Sequence, residues 1–193
     1  MVMKRASFPF ILMALCVVFG GCHNQQGGNS KHKFAKKQKD ILELYNMADS
    51  IYYKEKRIDT TAFLRFIDKA TEFAKDYPKD ELSPDMLYRA GIGAMIIAKS
   101  AENQAQRATY CKKAIAIFDQ FQEAYPNHKN YKYCYYQRGI IYDDILGDVN
   151  SAEDQYRDFV NRYPDDPLAP QLEEYIKMLG KSDKEIGEIL QLQ

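Results

Sequence analysis

Tyr-Pro occurs three times in this chain, at Tyr77-Pro78, Tyr125-Pro126 and Tyr163-Pro164, and each time it closes a stretch whose apolar residues recur at helical spacing. Proline removes a backbone donor and biases the residue before it away from helix, so each dipeptide ends a helix. Before the first, Phe63, Phe66, Ile67, Ala70, Phe73, Ala74 and Tyr77 follow the i, i+3, i+4, i+7 rule of a core-facing stripe. Cys111, Ala114, Ile115, Phe118, Phe121 and Tyr125 repeat it before the second, and Ala152, Tyr156, Phe159, Val160 and Tyr163 before the third. Such stripes bury themselves only against other helices. No strand alternation competes, and the fold expected is all-α.

Further stripes fill the intervals. Ile41, Tyr45, Ala48 and Tyr52 begin the series; Leu87, Ala90, Ala94, Ile97 and Ala101, then Tyr135, Gly139, Tyr142 and Leu146, then Leu168, Leu172, Tyr175, Ile176 and Leu179 continue it. Ser83-Pro84 and Pro167 mark helix starts. Asp148-Val149-Asn150-Ser151 interrupts a hairpin, with Asn150 or Ser151 expected to cap the next helix. Gly180-Lys181-Ser182-Asp183 ends one helix and opens a short last one carrying Ile186, Ile189 and Leu190. The prolines stand 48 and 38 residues apart, so the longer unit should hold an extended helix or loop near Glu102 to Arg107.

Within each unit the residues also recur in kind. Leu87-Tyr88-Arg89-Ala90-Gly91 parallels Tyr135-Tyr136-Gln137-Arg138-Gly139, and the latter continues with Tyr142, Ala152, Tyr156, Phe159 and Pro164. A bulky residue, a small one, an aromatic, then Ala, aromatic and terminal Pro resembles the tetratricopeptide repeat. The resemblance implies a tetratricopeptide-like stack of about three helix pairs plus a C-terminal helix pair over residues 40–193, with glycine where paired helices cross closely. The first pair has Asp49 where glycine is expected. It also implies a concave groove lined by the first helix of each pair. Tyr88, Ile92 and Met95 are its candidates in one pair, and Tyr133, Tyr136, Ile140, Asp143 and Asp144 in the next. Tyr and Met bury area and adapt in shape, which suits contact with a protein or peptide; the alternative is that these side chains pack on neighbouring helices. Repeats that grip a C-terminal carboxylate use Lys, Arg and Asn, and this face offers Tyr, Ile and Asp instead.

The N-terminus carries a different signal. Lys4 and Arg5 precede an apolar run from Phe8 to Phe19, which Pro9 interrupts and Gly20-Gly21-Cys22 closes. A membrane-spanning helix needs roughly 20 apolar residues, more than this run supplies. It resembles a bacterial lipoprotein signal, with residues 1–21 removed and Cys22 lipidated through its thiol and freed amine. Residues 22–39 then form a tether. His23-Asn24-Gln25-Gln26-Gly27-Gly28-Asn29-Ser30 has no apolar period. Lys31, Lys33, Lys36, Lys37 and Lys39 either meet anionic head groups or stay in solvent.

A lipidated N-terminus ahead of such repeats resembles the outer-membrane assembly lipoprotein (BamD-like) family. That implies a non-enzymatic adaptor on the bacterial outer membrane, facing the periplasm and presenting a helical surface to a protein partner. The alternative is a lipoprotein for glycan or another extracellular ligand, with Tyr136 as stacking platform and Asp143 beside it.

Other classes find no footing. The 27 basic and 27 acidic residues balance, and no basic stripe points to nucleic acid. His23, His32 and His128 are scattered, without His-Glu-x-x-His or Cys-x-x-Cys, so neither a metal nor a cofactor is expected. Phosphate loops and nucleophile elbows are missing from the sequence. The acidic pairs Asp143-Asp144, Asp165-Asp166 and Glu173-Glu174 read as solvated helix faces, since helical neighbours diverge by about 100°. Cys111 and Cys134 would stand more than about 10 Å out of level in a hairpin turning near Pro126, which favours two small buried hydrophobes over a disulfide.

Overall fold

The computed structural model describes residues 25–55, 58–182 and 184–187. The expected signal peptide, Cys22 and the apolar residues Ile189 and Leu190 lie outside the described residues. The chain runs through α1 (Gln25–Glu55), α2 (Thr60–Asp76), α3 (Leu82–Ser100), α4 (Gln104–Ala124), α5 (Tyr133–Ile140), α6 (Val149–Arg162) and α7 (Ala169–Met178). α5 continues without a break into a π-helical turn (Ile141–Leu146), and a last short helical segment covers 184–187. No strand occurs among the described residues.

The three helices that end in Tyr-Pro have matching termini. Tyr77, Tyr125 and Tyr163 leave the helix at φ −131, −132 and −134° and ψ 58, 59 and 55°. Each still donates its N–H to the phenylalanine four residues back, Phe73, Phe121 or Phe159, at 2.8, 2.9 and 2.9 Å. Their starts are alike as well: Asp59, Asn103 and Asp148 accept from the backbone N–H three residues on, at 2.9, 2.9 and 3.1 Å. Such caps contribute about 1 kcal/mol apiece. Asp148 therefore takes the role expected of Asn150 or Ser151, and the Ser151 hydroxyl instead donates to the Asp148 carboxylate at 2.6 Å.

The turn after each Tyr-Pro is repeated too. Asp80 and Asp166 accept from the N–H of Leu82 and Leu168, at 3.0 and 2.9 Å. In the middle turn His128 occupies that position, its Nδ1 accepting from Asn130 N–H at 3.2 Å. Asp166, expected on a solvated face, is only 7% exposed and is paired with Lys132. The turn needs an acceptor there whatever its burial.

Glycine sits where the paired helices touch. A Cβ on Gly91 would lie 2.6 Å from the Phe118 ring, and one on Gly139 2.2 Å from the Tyr156 ring. The larger core gathers Phe63, Phe66, Phe73, Leu87, Phe118 and Phe121 from α1 to α4 and extends to Cys134, Ile141 and Ile145. A smaller one gathers Tyr135, Tyr156, Phe159, Leu172 and Ile176. α5 serves both, one face to each. Cys111 and Cys134 are buried and free. Arg138 joins α4, α5 and α6: 7% exposed, it donates to Asp119, Gln122 and Gln155, each at 2.8 Å, and lies over the Tyr135 ring at 5.0 Å.

Of two expectations about length, the extended helix of the middle unit is found and the tether changes. The extra residues of the middle unit lengthen its helices, α3 to 19 and α4 to 21 residues, leaving only a turn between them. α1 starts at Gln25, so residues 25–39, assigned by the sequence to a tether, are helical. Phe34 explains why. It stands two turns before Ile41 and stacks on Phe73, ring centroids 6.1 Å apart, while Lys37 pairs with Glu72 and Asp76 of α2 at 3.2 and 2.8 Å. The first helix thus gains a partner for its basic end as well as for its apolar stripe. Leu146, expected on a packing stripe, is 40% exposed because the π turn rotates it outward.

Candidate functional site

The helices that open each pair, α1, α3 and α5, are neighbours across one face, and α7 continues the row. A long side chain bridges each junction. Arg89 of α3 lies over the Tyr45 ring of α1, 4.5 Å from its centroid, and donates to the Tyr45 hydroxyl. Gln137 of α5 donates to the Tyr88 hydroxyl of α3 at 3.3 Å. The Tyr175 hydroxyl of α7 donates to Asp143 of the π turn at 2.5 Å. Arg89, Gln137 and Tyr175 each stand twelve positions after the tyrosine of the preceding Tyr-Pro. The matching turns carry that register into space, placing the three side chains alike.

Two clefts open along this row. The first, about 340 Å³, is lined by Tyr45, Tyr52, Tyr88, Arg89 and Ile92, with Asp49, Asp85 and Lys129 giving it mixed charge. Tyr88 packs between Phe118 and Phe121, ring centroids 5.7 and 5.5 Å away, and burial pushes its hydroxyl up to about 12. The second cleft, about 310 Å³, lies between α5, the π turn, α6 and α7. Tyr136, Tyr156 and Tyr175 form its aromatic wall, Asp143 and Asp144 its acidic one, and Ile140, Leu168 and Leu172 are among its apolar lining.

The π turn decides how the two carboxylates point. Asp143 reaches Tyr175 on one side, and Asp144 reaches Lys99 of α3 on the other, at 3.3 Å. Asp144 keeps the solvated position expected from sequence, whereas Asp143 is half-buried and tied to α7. The Asp143 bond, followed by burial, pushes the Tyr175 hydroxyl up to about 12; burial, followed by the Asp143 charge, raises Tyr156 as well. Burial thus leads at Tyr156 and the Asp143 carboxylate at Tyr175.

The sequence candidates divide between these places. Tyr88 and Ile92 line the first cleft; Tyr136, Ile140, Asp143 and Asp144 line the second. Tyr133 borders a shallower recess beside Pro126 and Tyr163 and stacks on Phe159 at 6.1 Å, while Met95 packs half-buried on the larger core and lines neither cleft. The helical pattern marks Tyr156 and Tyr175 as packing residues only. They do pack, and they also line the second cleft. The twelve-residue register is the signal in the sequence that sets Tyr175 apart.

Among the described residues no three His, Cys, Asp or Glu side chains converge to hold a metal ion, and no helix is long and apolar enough to cross a membrane. No curated protein matches the chain. The α5–α6 unit, residues 133–166, matches the tetratricopeptide repeat, and it sits in an all-α, tetratricopeptide-like stack of helices.

Proposed function

We propose that this chain is a lipid-anchored adaptor of the bacterial envelope, held on the outer membrane through Cys22 and offering the α1–α3–α5–α7 face to a segment of a partner protein during outer-membrane protein assembly. Tetratricopeptide repeats are interaction modules, and the coarse reading of a protein-binding role rests on the matched repeat. The observation that carries the proposal is the row of clefts: tyrosine surface in two recesses on one face, joined by the Tyr88–Gln137 contact. Tyrosine supplies large contact area at little conformational cost. The alternative, a glycan platform on Tyr136 beside Asp143, is separated from the adaptor by the purification experiment below.

Two experiments test the two halves. Cys22→Ser should abolish incorporation of radiolabelled palmitate and release the chain from membranes; unchanged attachment rejects the anchor. Crosslinking and purification from detergent-solubilised envelopes should return a stoichiometric protein complex that Tyr136→Ala with Tyr88→Ala weakens. Recovery of the chain alone, with measurable affinity for envelope glycan, rejects the adaptor.

A further inference from the structure

We propose that the cleft between α5, α6 and α7 receives an arginine side chain of the partner protein. The inference deepens the adaptor reading and rests on it, since it names what one recess of that face recognises.

Charge gives the first reason. Among the described residues the second cleft is lined by two carboxylates and no basic side chain, Lys99 reaching Asp144 from outside the lining, whereas in the first Arg89 and Lys129 offset Asp49 and Asp85. Asp143 and Asp144 each use one oxygen within the chain, on Tyr175 and Lys99. A carboxylate has about four lone-pair sites, so both retain capacity to accept. A cation entering the cleft meets the Asp143 charge, the Asp144 charge partly offset by Lys99, and the electron-rich faces of the tyrosine rings that line it.

An independent observation comes from Tyr156. Its side chain is almost fully enclosed, with 2% of the residue exposed, yet it lines the cleft and its hydroxyl makes no hydrogen bond among the described residues. The ring is buried while the hydroxyl, which is not a fully enclosed orphan, keeps its access to the cleft and is free to accept from a bound donor. The ring cannot turn away: Gly139 lies beneath it without a Cβ, and Tyr136 and Tyr175 flank it at 6.2 and 5.7 Å. The Asp143 carboxylate raises the Tyr175 hydroxyl through their hydrogen bond and adds, after burial, to the rise at Tyr156.

Arginine suits the site better than lysine. Its planar guanidinium stacks on a tyrosine ring while donating sideways to carboxylates and a hydroxyl, whereas an ammonium is a strongly hydrated point charge. The chain already uses this geometry on itself. Arg89 covers Tyr45 and donates to its hydroxyl one junction along the same face, and Arg138 covers Tyr135 while donating to Asp119. At the α5–α7 junction Tyr175 stands in the register of Arg89, and no arginine among the described residues lines the cleft.

The test uses the full chain in detergent with ¹³C-labelled tyrosine rings, titrated with N-acetylarginine amide, its lysine counterpart and the uncharged isostere N-acetylcitrulline amide. The arginine compound should shift Tyr136, Tyr156 and Tyr175 and bind about tenfold more tightly than citrulline. Asp143→Asn with Asp144→Asn should remove that tenfold preference; asparagine at 143 keeps an acceptor for Tyr175, and an unchanged melting temperature confirms an intact fold. Tyr156→Phe, which keeps the ring, should weaken arginine binding by a smaller factor. Equal binding of citrulline or lysine, or full binding by the double variant, overturns the inference. Envelope purification separates it from the adaptor reading. A partner retained equally by wild type and double variant leaves the adaptor standing and removes the arginine site; arginine binding with no partner recovered does the reverse.

Discussion

The Cβ that Gly139 lacks would sit 2.2 Å from Cε1 of Tyr156, with two further ring atoms at 2.5 and 2.8 Å. One absent methyl group thus sets both the α5–α6 distance and the wall of a cleft. Gly139→Ala should cost about 1–3 kcal/mol, the usual range for overpacking, read from urea unfolding followed by circular dichroism. Gly93→Ala is the contrast. Its nearest neighbour would be Phe63 at 3.2 Å, and the gain in helix propensity offsets the pressure, so its effect should stay within about 1 kcal/mol of zero.

Arg138→Met should destabilise the chain by about 2 kcal/mol, because Gln122 and Gln155 lose a charged donor while Asp119, 62% exposed at its side chain, simply rehydrates. Arg138→Lys reaches fewer of the three acceptors and should recover only part of the loss. Chemical denaturation of the three proteins, with unchanged m-values, checks the order.

Burial pushes the Cys134 thiol up to about 12, and burial raises Cys111 in the same direction. An ordinary thiol near 8.5 is appreciably ionised at pH 8, whereas one near 12 holds about one part in ten thousand as thiolate. Iodoacetamide at pH 8 should therefore label Cys134 at least about a hundredfold more slowly in the native chain than in urea. Peptide mapping by mass spectrometry separates it from the other cysteines; equal rates would place the thiol outside the core.

Burial alone would raise the Asp166 carboxyl, but the Lys132 ammonium and the Leu168 N–H outweigh it and hold the group below the usual carboxylate range. A carboxyl depressed in the folded state contributes stability above its unfolded value, near 3.9, and loses it as pH falls through the folded value. Asp166→Asn keeps the acceptor for Leu168 and removes the charge. It should cost about 1 kcal/mol at pH 7 and progressively less below about pH 4, measured as the difference in urea midpoint across that range.

Much of this architecture is legible in the sequence. The Phe-to-Tyr-Pro endings, the aromatic stripes and the glycines at the crossings are local patterns, and local patterns survive into the fold. Contacts between distant segments set the rest. Phe34 is one apolar residue among lysines, and only Phe73 and Tyr77 reveal that it belongs to the stack. Arg138 reads as a surface residue until α4 and α6 close over it. The π turn has no signature in Ile141–Leu146, yet it aims Asp143 and Asp144 at different helices. Tyr136, Ile140, Asp143 and Asp144 stand out together in the sequence as one group. The walls opposite, Tyr156 and Tyr175, already satisfy a packing pattern, and that conceals their second face.

Arg89, Gln137 and Tyr175 share one register, and nothing in the turns before them constrains what they are. The stack fixes position and leaves chemistry free, so a cation, an amide and a phenol succeed one another along a single face. Each junction can change its letter without rewriting its neighbours, so the face is free to vary while the stack beneath it stays the same.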